Sequence, residues 1–280
     1  VRWTLGSCLV YAPFTVHGAA MPAAARLIVT GDDFGASSRV NEAIHRAYES
    51  GLLQQASLMV SGFAAAEAVR IAKRCPGLTV GLHLTLCAGH ALRASRLTDA
   101  SRRLPASPLV AGLRYAVDPR WEHDLAGEIE AQFTAFRRLG LGTAYWDGHC
   151  HLHLHPKIFG HAARSAGSGF SYVRLVRSPL PGNILEQVFN RLSDDALRRL
   201  QGRRPLACAD ALYGLRYSGR MNTENFLACV RSIRPGQLAE IYYHPGAETV
   251  EPDPDIILEA IRHRGVVLCS SRAVRAPVNS

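Results

Sequence analysis

Arg26-Leu27-Ile28-Val29-Thr30-Gly31-Asp32-Asp33-Phe34-Gly35 is the stretch that decides the fold. It opens as a short apolar run that closes on glycine, as a buried parallel strand does. A helix follows, with Val40, Ala43, Ile44, Ala47 and Tyr48 on one face, Ser37 or Ser38 as its cap and Gly51 as its stop. The alternation then repeats. Strands are expected at 56–60, 78–86, 143–147, 172–176, 239–243 and 266–269. Helices are expected at 64–74, 124–139, 156–168, 184–200 and 222–233, with a last one opened by Asp253-Pro254 and ended by Gly265. Strands alternating with helices imply an α/β fold on a parallel sheet, open or closed into a barrel. In such folds chemistry gathers just past the C-terminal ends of the strands. Residues 89–121 are rich in Pro, Arg and Ser without a clear period, and read as a loop or lid.

Composition narrows the class. The chain has 280 residues, 48% hydrophobic and 20% charged, ample for one large globular domain with its own core. Seven cysteines (Cys8, Cys75, Cys87, Cys150, Cys208, Cys229 and Cys269) are scattered and form no Cys-x-x-Cys pair. That excludes a structural thiolate zinc site and a disulfide framework, and suits a cytoplasmic protein with reduced, mostly buried thiols. The formal charge is +9, nearly all arginine. It describes either a solvated basic surface or one drawn to anionic lipid headgroups at the inner face of a membrane. No DNA- or RNA-binding motif accompanies it, so no nucleic-acid partner is expected. Residues 5–25 lack charge, but Pro13, His17, Gly18 and Pro22 interrupt them. They are read as a non-core extension, with Met21 as the expected start. The domain is expected to run over 26–272, with 273–280 as a tail.

Polar clusters sit at the expected strand ends. Asp32 and Asp33 are adjacent carboxylates at a strand mouth, which repel unless a cation is present. His83, in Gly81-Leu82-His83-Leu84-Thr85, faces opposite its apolar neighbours. In Asp147-Gly148-His149-Cys150-His151-Leu152-His153-Leu154-His155, alternation puts Asp147 and four histidines on one face while the segment stays extended. Alternate residues lie roughly 6–7 Å apart, so one or at most two of these histidines can reach a single ion. One carboxylate and two histidines from three strand ends make a three-ligand site with open positions, the arrangement of a catalytic metal. The spare aspartate is then a base for water. Arg174 lies on an otherwise apolar strand and calls for a buried carboxylate partner. His244, in His244-Pro245-Gly246, stands at another strand end as a candidate acid for an amine leaving group.

This ordered set (Asp-Asp-Phe-Gly, Gly-Leu-His-Leu, Asp-Gly-His-x-His-x-His and His-Pro-Gly) resembles the YdjC-like carbohydrate deacetylases over residues 26 to about 270. The resemblance implies a single-domain irregular β/α barrel related to the polysaccharide deacetylases. It implies a hydrolase acting on a linear amide bond, with one divalent ion held by Asp33, His83 and His149; that donor set favours Zn²⁺, with Mg²⁺ as the alternative. It makes Asp32 the base, His244 the proton donor and Arg174 the group that orients Asp32. Asp147 and His153 would support the ligands, and Phe34, Tyr213 and Arg220 would contact substrate. The opening strand, the Ala209–Leu215 stretch and Gly219-Arg220-Met221 are closest to the hopanoid-biosynthesis branch. The implied substrate is therefore an N-acetylglucosaminyl hopanoid, taken from an anionic membrane on which the protein sits peripherally. A chito-oligosaccharide acceptor is the alternative within the family. A phosphoesterase lacks its second ligand set and phosphate loop here, and a non-catalytic metal- or lipid-binding protein leaves Asp32 and Arg174 without a purpose. A homo-oligomer is compatible with all of these.

Overall fold

The computed structural model describes residues 23–179, 182–200 and 206–274. The expectations for Met21, for residues 1–22 and for the tail beyond 274 fall outside these residues. The strands are β1 (Arg26–Phe34), β2 (Gln55–Leu58), β3 (Thr79–Leu84), β4 (Tyr145–Gly148), β5 (Tyr172–Val173), β6 (Ala211–Tyr213), β7 (Leu238–Tyr243) and β8 (Val267–Cys269). All pair in parallel, in the order β5-β4-β3-β2-β1-β7-β6. β8 lies beside the first residues of β1, where Arg26 to Ile28 pair with Val267 to Cys269. The two edges are bridged: Val173 N–H donates to the Ala207 carbonyl at 2.9 Å and Leu212 N–H to the Arg177 carbonyl at 3.0 Å. The sheet thus curls into an irregular barrel, the expected single-domain α/β architecture.

Helices α1 (Ser38–Glu49), α2 (Ala65–Arg74), α3 (Pro108–Val117), α4 (Glu122–Arg138), α5 (Pro156–Ala166), α6 (Ile184–Leu200), α7 (Thr223–Ser232) and α8 (Pro254–His263) surround it. Ser37, not Ser38, caps α1 by accepting from Val40 N–H. Asp253 caps α8, with Pro254 in its first turn. Among the described residues no helix is long and apolar enough to cross a membrane.

Apart from β8, the strands are buried on both faces, yet a period of two survives inside them. Leu27 and Val29 join the main outer core, while Ile28 packs in a separate inner cluster with Tyr145 and Tyr172. The inward rows run Ile28-Thr30-Asp32, Gln55-Ser57, Gly81-His83, Tyr145-Asp147, Tyr172-Arg174 and Glu240-Tyr242. A Cβ at Gly81 would come within 2.4 Å of the Tyr145 ring, so only glycine fits there. The barrel interior therefore grades from apolar at Ile28 to hydrogen-bonded at Thr30, Gln55 and Glu240. It ends in ionisable groups at the C-terminal mouth.

Three expectations are corrected. The strand expected at 172–176 stops at Val173; of the next residues, Arg174 N–H still reaches Trp146 of β4, at 3.2 Å. The short strand β6 was not foreseen. The 89–121 excursion holds a helix, α3, capped by Ser107. It is also tied to the body: Glu128 of α4 accepts from Leu92 and Arg93 N–H, and Tyr115 O–H donates to the Leu86 carbonyl. Its period was hidden because Ala111 and Tyr115 face the body while the larger apolar residues of α3 face outward.

Candidate metal and catalytic centre

Two adjacent residues of a regular strand point to opposite faces. Asp32 and Asp33 escape this rule because β1 is irregular at its end. Its register with β2 slips between Gly31 and Phe34, and Asp33 takes a left-handed φ of 64°. Aspartate tolerates that conformation better than most side chains. Asp32 keeps the inward row, and the kink turns Asp33 toward the same mouth.

There Asp33 Oδ1 lies 2.8 Å from His149 Nδ1 and 3.3 Å from His83 Nε2. Ligand atoms of Asp33, His83 and His149 all lie within 4.8 Å of one another. His83 gives its other nitrogen, Nδ1, to Asp147 Oδ1 at 2.7 Å. An ionised carboxylate only accepts, so Nδ1 carries a proton for Asp147 and Nε2 another for Asp33, and a metal ion would replace the second. A carboxylate behind a histidine is the usual support of a metal ligand.

The electrostatics agree. Burial would raise the Asp33 carboxyl, but hydrogen bonds from His149 and His83 hold it well below the usual range. Burial pulls His83 down, and the Asp147 and Asp32 carboxylates push it well above an ordinary histidine. Burial likewise lowers His149, while Asp33 lifts it to about 9. The cluster wants positive charge. A divalent ion fits these residues and would displace protons as it bound.

Asp32, His83 and Asp147 form a second close group. It suits a cation less, because Arg174 already occupies both aspartates. Arg174 is wholly buried and forks onto Asp32, with Nη1 to Oδ2 at 2.8 Å and Nη2 to Oδ1 at 2.9 Å. Nη1 is also 2.9 Å from Asp147 Oδ2, and Nε donates to Glu240 Oε1 at 2.8 Å. The expected carboxylate partner of Arg174 is thus three partners. Asp32 lines the cavity that holds the centre. Each of its oxygens gives one lone pair to Arg174, leaving a second for a water or substrate proton.

The histidine run needs correction. It does not stay extended: β4 ends at Gly148, and residues 149–154 coil into a 3₁₀ turn with Cys150 and His151 in left-handed geometry. A Cβ on Gly148 would sit 2.8 Å from that of His153, so glycine lets the chain fold back. The coil separates the histidines. His149 joins Asp33. His151 Nε2 meets the Tyr242 hydroxyl at 2.9 Å, and burial keeps its pKa well below the ordinary value. His153 Nε2 donates to the Arg174 carbonyl at 2.8 Å, so it fixes the segment just past β5 that carries Arg174 instead of touching a ligand. His155 lines the outer cavity.

His244 also lines this cavity, and Glu248 accepts its backbone N–H at 3.0 Å. The Glu248 carboxylate stands 3.6 Å from His244 Nδ1. Burial lowers the His244 pKa, but Glu248, aided by Asp32 and Asp33, more than reverses this. The imidazolium therefore persists to higher pH than in an ordinary histidine, as an acid for a leaving amine requires. Glu248→Gln removes the main raising charge. The alkaline limb of kcat/KM is expected to move to lower pH while the acid limb stays, read from a pH–rate profile.

The expected substrate contacts are not brought to the centre. Phe34 lies wholly buried in the outer core. Tyr213 faces outward from β6, donates to the Ser232 carbonyl and lines a different cavity. Arg220 is exposed, with its guanidinium 3.4 Å from the Arg216 carbonyl. Residues that do matter went unnoticed: Glu240, Tyr242 and Glu248. Glu240 was findable, since a lone carboxylate in Leu238-Ala239-Glu240-Ile241-Tyr242-Tyr243 calls for a buried partner just as Arg174 does.

Known proteins resemble this chain over most of its length. A carbohydrate deacetylase of Geobacillus stearothermophilus is 29% identical over 220 residues, 78% of each chain. A human carbohydrate deacetylase is 31% identical over 249 residues, covering 81% of this chain and 76% of its own. A solved Enterococcus faecalis structure, provisionally named for cellobiose-phosphate cleavage, shares the fold with a TM-score of 0.68 at 19% identity. It covers 90% of this chain and 100% of its own. The model of the YdjC-like proteins matches residues 26–276, nearly the whole described chain, and the chain belongs to that family.

Proposed function

We propose that this chain is a metal-dependent N-deacetylase that removes the acetyl group from an N-acetylglucosamine unit carried on a hopanoid lipid. As an enzyme it is a hydrolase of a linear amide bond, in line with the deacetylase names of its relatives. The observation that carries the lipid acceptor is the cavity wall. Asp32, His83 and His149 open into a cavity of about 500 Å³ walled by Leu109, Leu152, Leu185, Val188, Phe189 and Leu192. A free oligosaccharide has no use for so apolar a wall, whereas a polycyclic tail does.

Two nitrogen donors and one oxygen favour Zn²⁺ over Mg²⁺, which prefers oxygen and water. The bound ion would supply a Lewis acid for the acetamide carbonyl and acidify a water. Asp32 takes the proton of the attacking water, held in place by the Arg174 fork. Water oxygen bonds to the carbonyl carbon, the C–N bond breaks, and His244 delivers a proton to the nitrogen. Acetate and a free amino sugar leave.

A chito-oligosaccharide acceptor has one observation in its favour. Phe63 is exposed and packs edge-on against His90, 4.6 Å between centroids, beside a second cavity. Such an aromatic face suits a sugar ring.

The test is acetate release from a detergent-dispersed N-acetylglucosaminyl hopanoid and from di-N-acetylchitobiose, with and without chelator. Chelator-sensitive release from the lipid alone is expected. Release from the sugar alone would keep the mechanism and discard the hopanoid. Release from neither, with metal bound, would overturn the deacetylase.

A further inference from the structure

We infer that the outer face of α3 and the first turn of α6 form a docking surface for an anionic bilayer, set at the mouth of the apolar cavity. Leu109, Leu113 and Val117 lie four residues apart on α3, on one face, and are 80%, 63% and 68% exposed. Ile184, at the start of α6, is 79% exposed, and Leu185 beside it is also exposed. Scattered single leucines on a surface need no explanation, but a stripe of this kind does. The two patches are not separate. Leu109 of α3 and Leu185 and Val188 of α6 line the same cavity as Asp32, His83, His149 and His244. The stripe is therefore the outer continuation of the cavity wall.

Basic side chains outnumber acidic ones around it, against Asp118 at the end of α3 and the buried Glu186 in the first turn of α6. Residues 100–117 contain Arg102, Arg103 and Arg114 and no acidic residue, and all three arginines are exposed. Residues 214–221, which bring Leu215 and Ser218 to the cavity, add exposed Arg220 and exposed Arg216, the latter 3.6 Å from the Glu186 carboxylate of α6. An apolar helix face flanked by arginine is how a protein lies in the headgroup layer of an anionic membrane. A protein partner on this face would cover the cavity mouth. A bilayer instead presents the lipid to it, so the inference rests on the lipid-acceptor reading above.

The experiment measures co-sedimentation of the full chain with phosphatidylcholine vesicles, with and without phosphatidylglycerol. Binding is expected with phosphatidylglycerol only and should fall with added salt. Leu113→Glu combined with Val117→Glu, and separately Ile184→Glu, should each cut the bound fraction about tenfold. Acetate release from a detergent-dispersed hopanoid substrate should be unchanged in both. None of the three residues lines the cavity, and because they sit on two helices a folding defect in one variant leaves the other informative. Equal binding by wild type and variants would overturn the docking surface. So would binding indifferent to phosphatidylglycerol, or a wild-type dimer that the variants split, which would assign the face to a second copy of the chain. If wild type binds vesicles but releases no acetate from the dispersed lipid, the substrate reading fails and the docking surface stands.

Discussion

Asp32→Asn is expected to lower kcat for acetate release by about 10²–10⁴-fold, the usual contribution of a positioned base, with the fold and metal content intact. Asparagine has the shape of aspartate but cannot accept a proton from water at neutral pH. It also turns one donor toward Arg174, so part of the fork is lost. Arg174 keeps Asp147 and Glu240, so its charge stays compensated. Asp32 is not among Asp33, His83 and His149, so the ion should remain bound. Kinetics paired with metal stoichiometry check this. Normal turnover removes Asp32 as the base. Loss of metal together with turnover would instead assign the ion to the group of Asp32, His83 and Asp147.

Much of this centre could be read from residue order. The alternation of strands and helices gave an α/β fold on a parallel sheet, the resemblance closed it into a barrel, and the strand-end rule placed Asp32, Asp33, His83 and His149 at one mouth. What stayed hidden depends on departures from regular geometry. Nothing in Asp32-Asp33 signals that β1 would kink to turn both side chains one way. The alternation of Asp147 with four histidines argued for an extended strand, and the coil after Gly148 broke it. Sequence spacing could not tell that His151 and His153 would go to Tyr242 and to the Arg174 carbonyl. Glu248 was invisible for another reason: it approaches His244 from a loop, without a period. α3 was missed because its large apolar residues face outward, which a pattern tuned to cores reads as irregular. Phe34 and Tyr213 were assigned to substrate by resemblance, but the kink at Asp33 turns Phe34 out of the inward row into the outer core, Tyr213 faces outward from β6, and both are spent on packing.

Replacing Arg174 with Met is expected to cost about 3–5 kcal/mol of stability, the usual cost of removing one partner from a buried ion pair. Whole domains are stable by only about 5–15 kcal/mol, so the variant should be marginal or unfolded. Met fills much of the volume, so a cavity would not be the cause. The cause is that Asp32, Asp147 and Glu240 are all buried and lose their shared cation. Thr30, Tyr172 and Ser57 still donate to this set but carry no charge. Lysine should recover only part of the loss, because a point charge cannot reproduce the planar fork that reaches three carboxylates. The pH dependence separates this cause from misfit. In the wild type, burial raises the Asp147 carboxyl but Arg174 and His83 hold it below the usual range. Its contribution is therefore present above the unfolded value of about 3.9 and is lost only as pH falls through the lower folded value. Without Arg174 the largest lowering influence on Asp147 is gone and burial pushes its carboxyl upward. Its penalty is then full at neutral pH and is relieved as pH falls toward about 4. Urea denaturation from neutral to mildly acidic pH should show the gap between variant and wild type narrowing. A gap that holds constant with pH would mean that Arg174 stabilises the barrel by packing, not by charge.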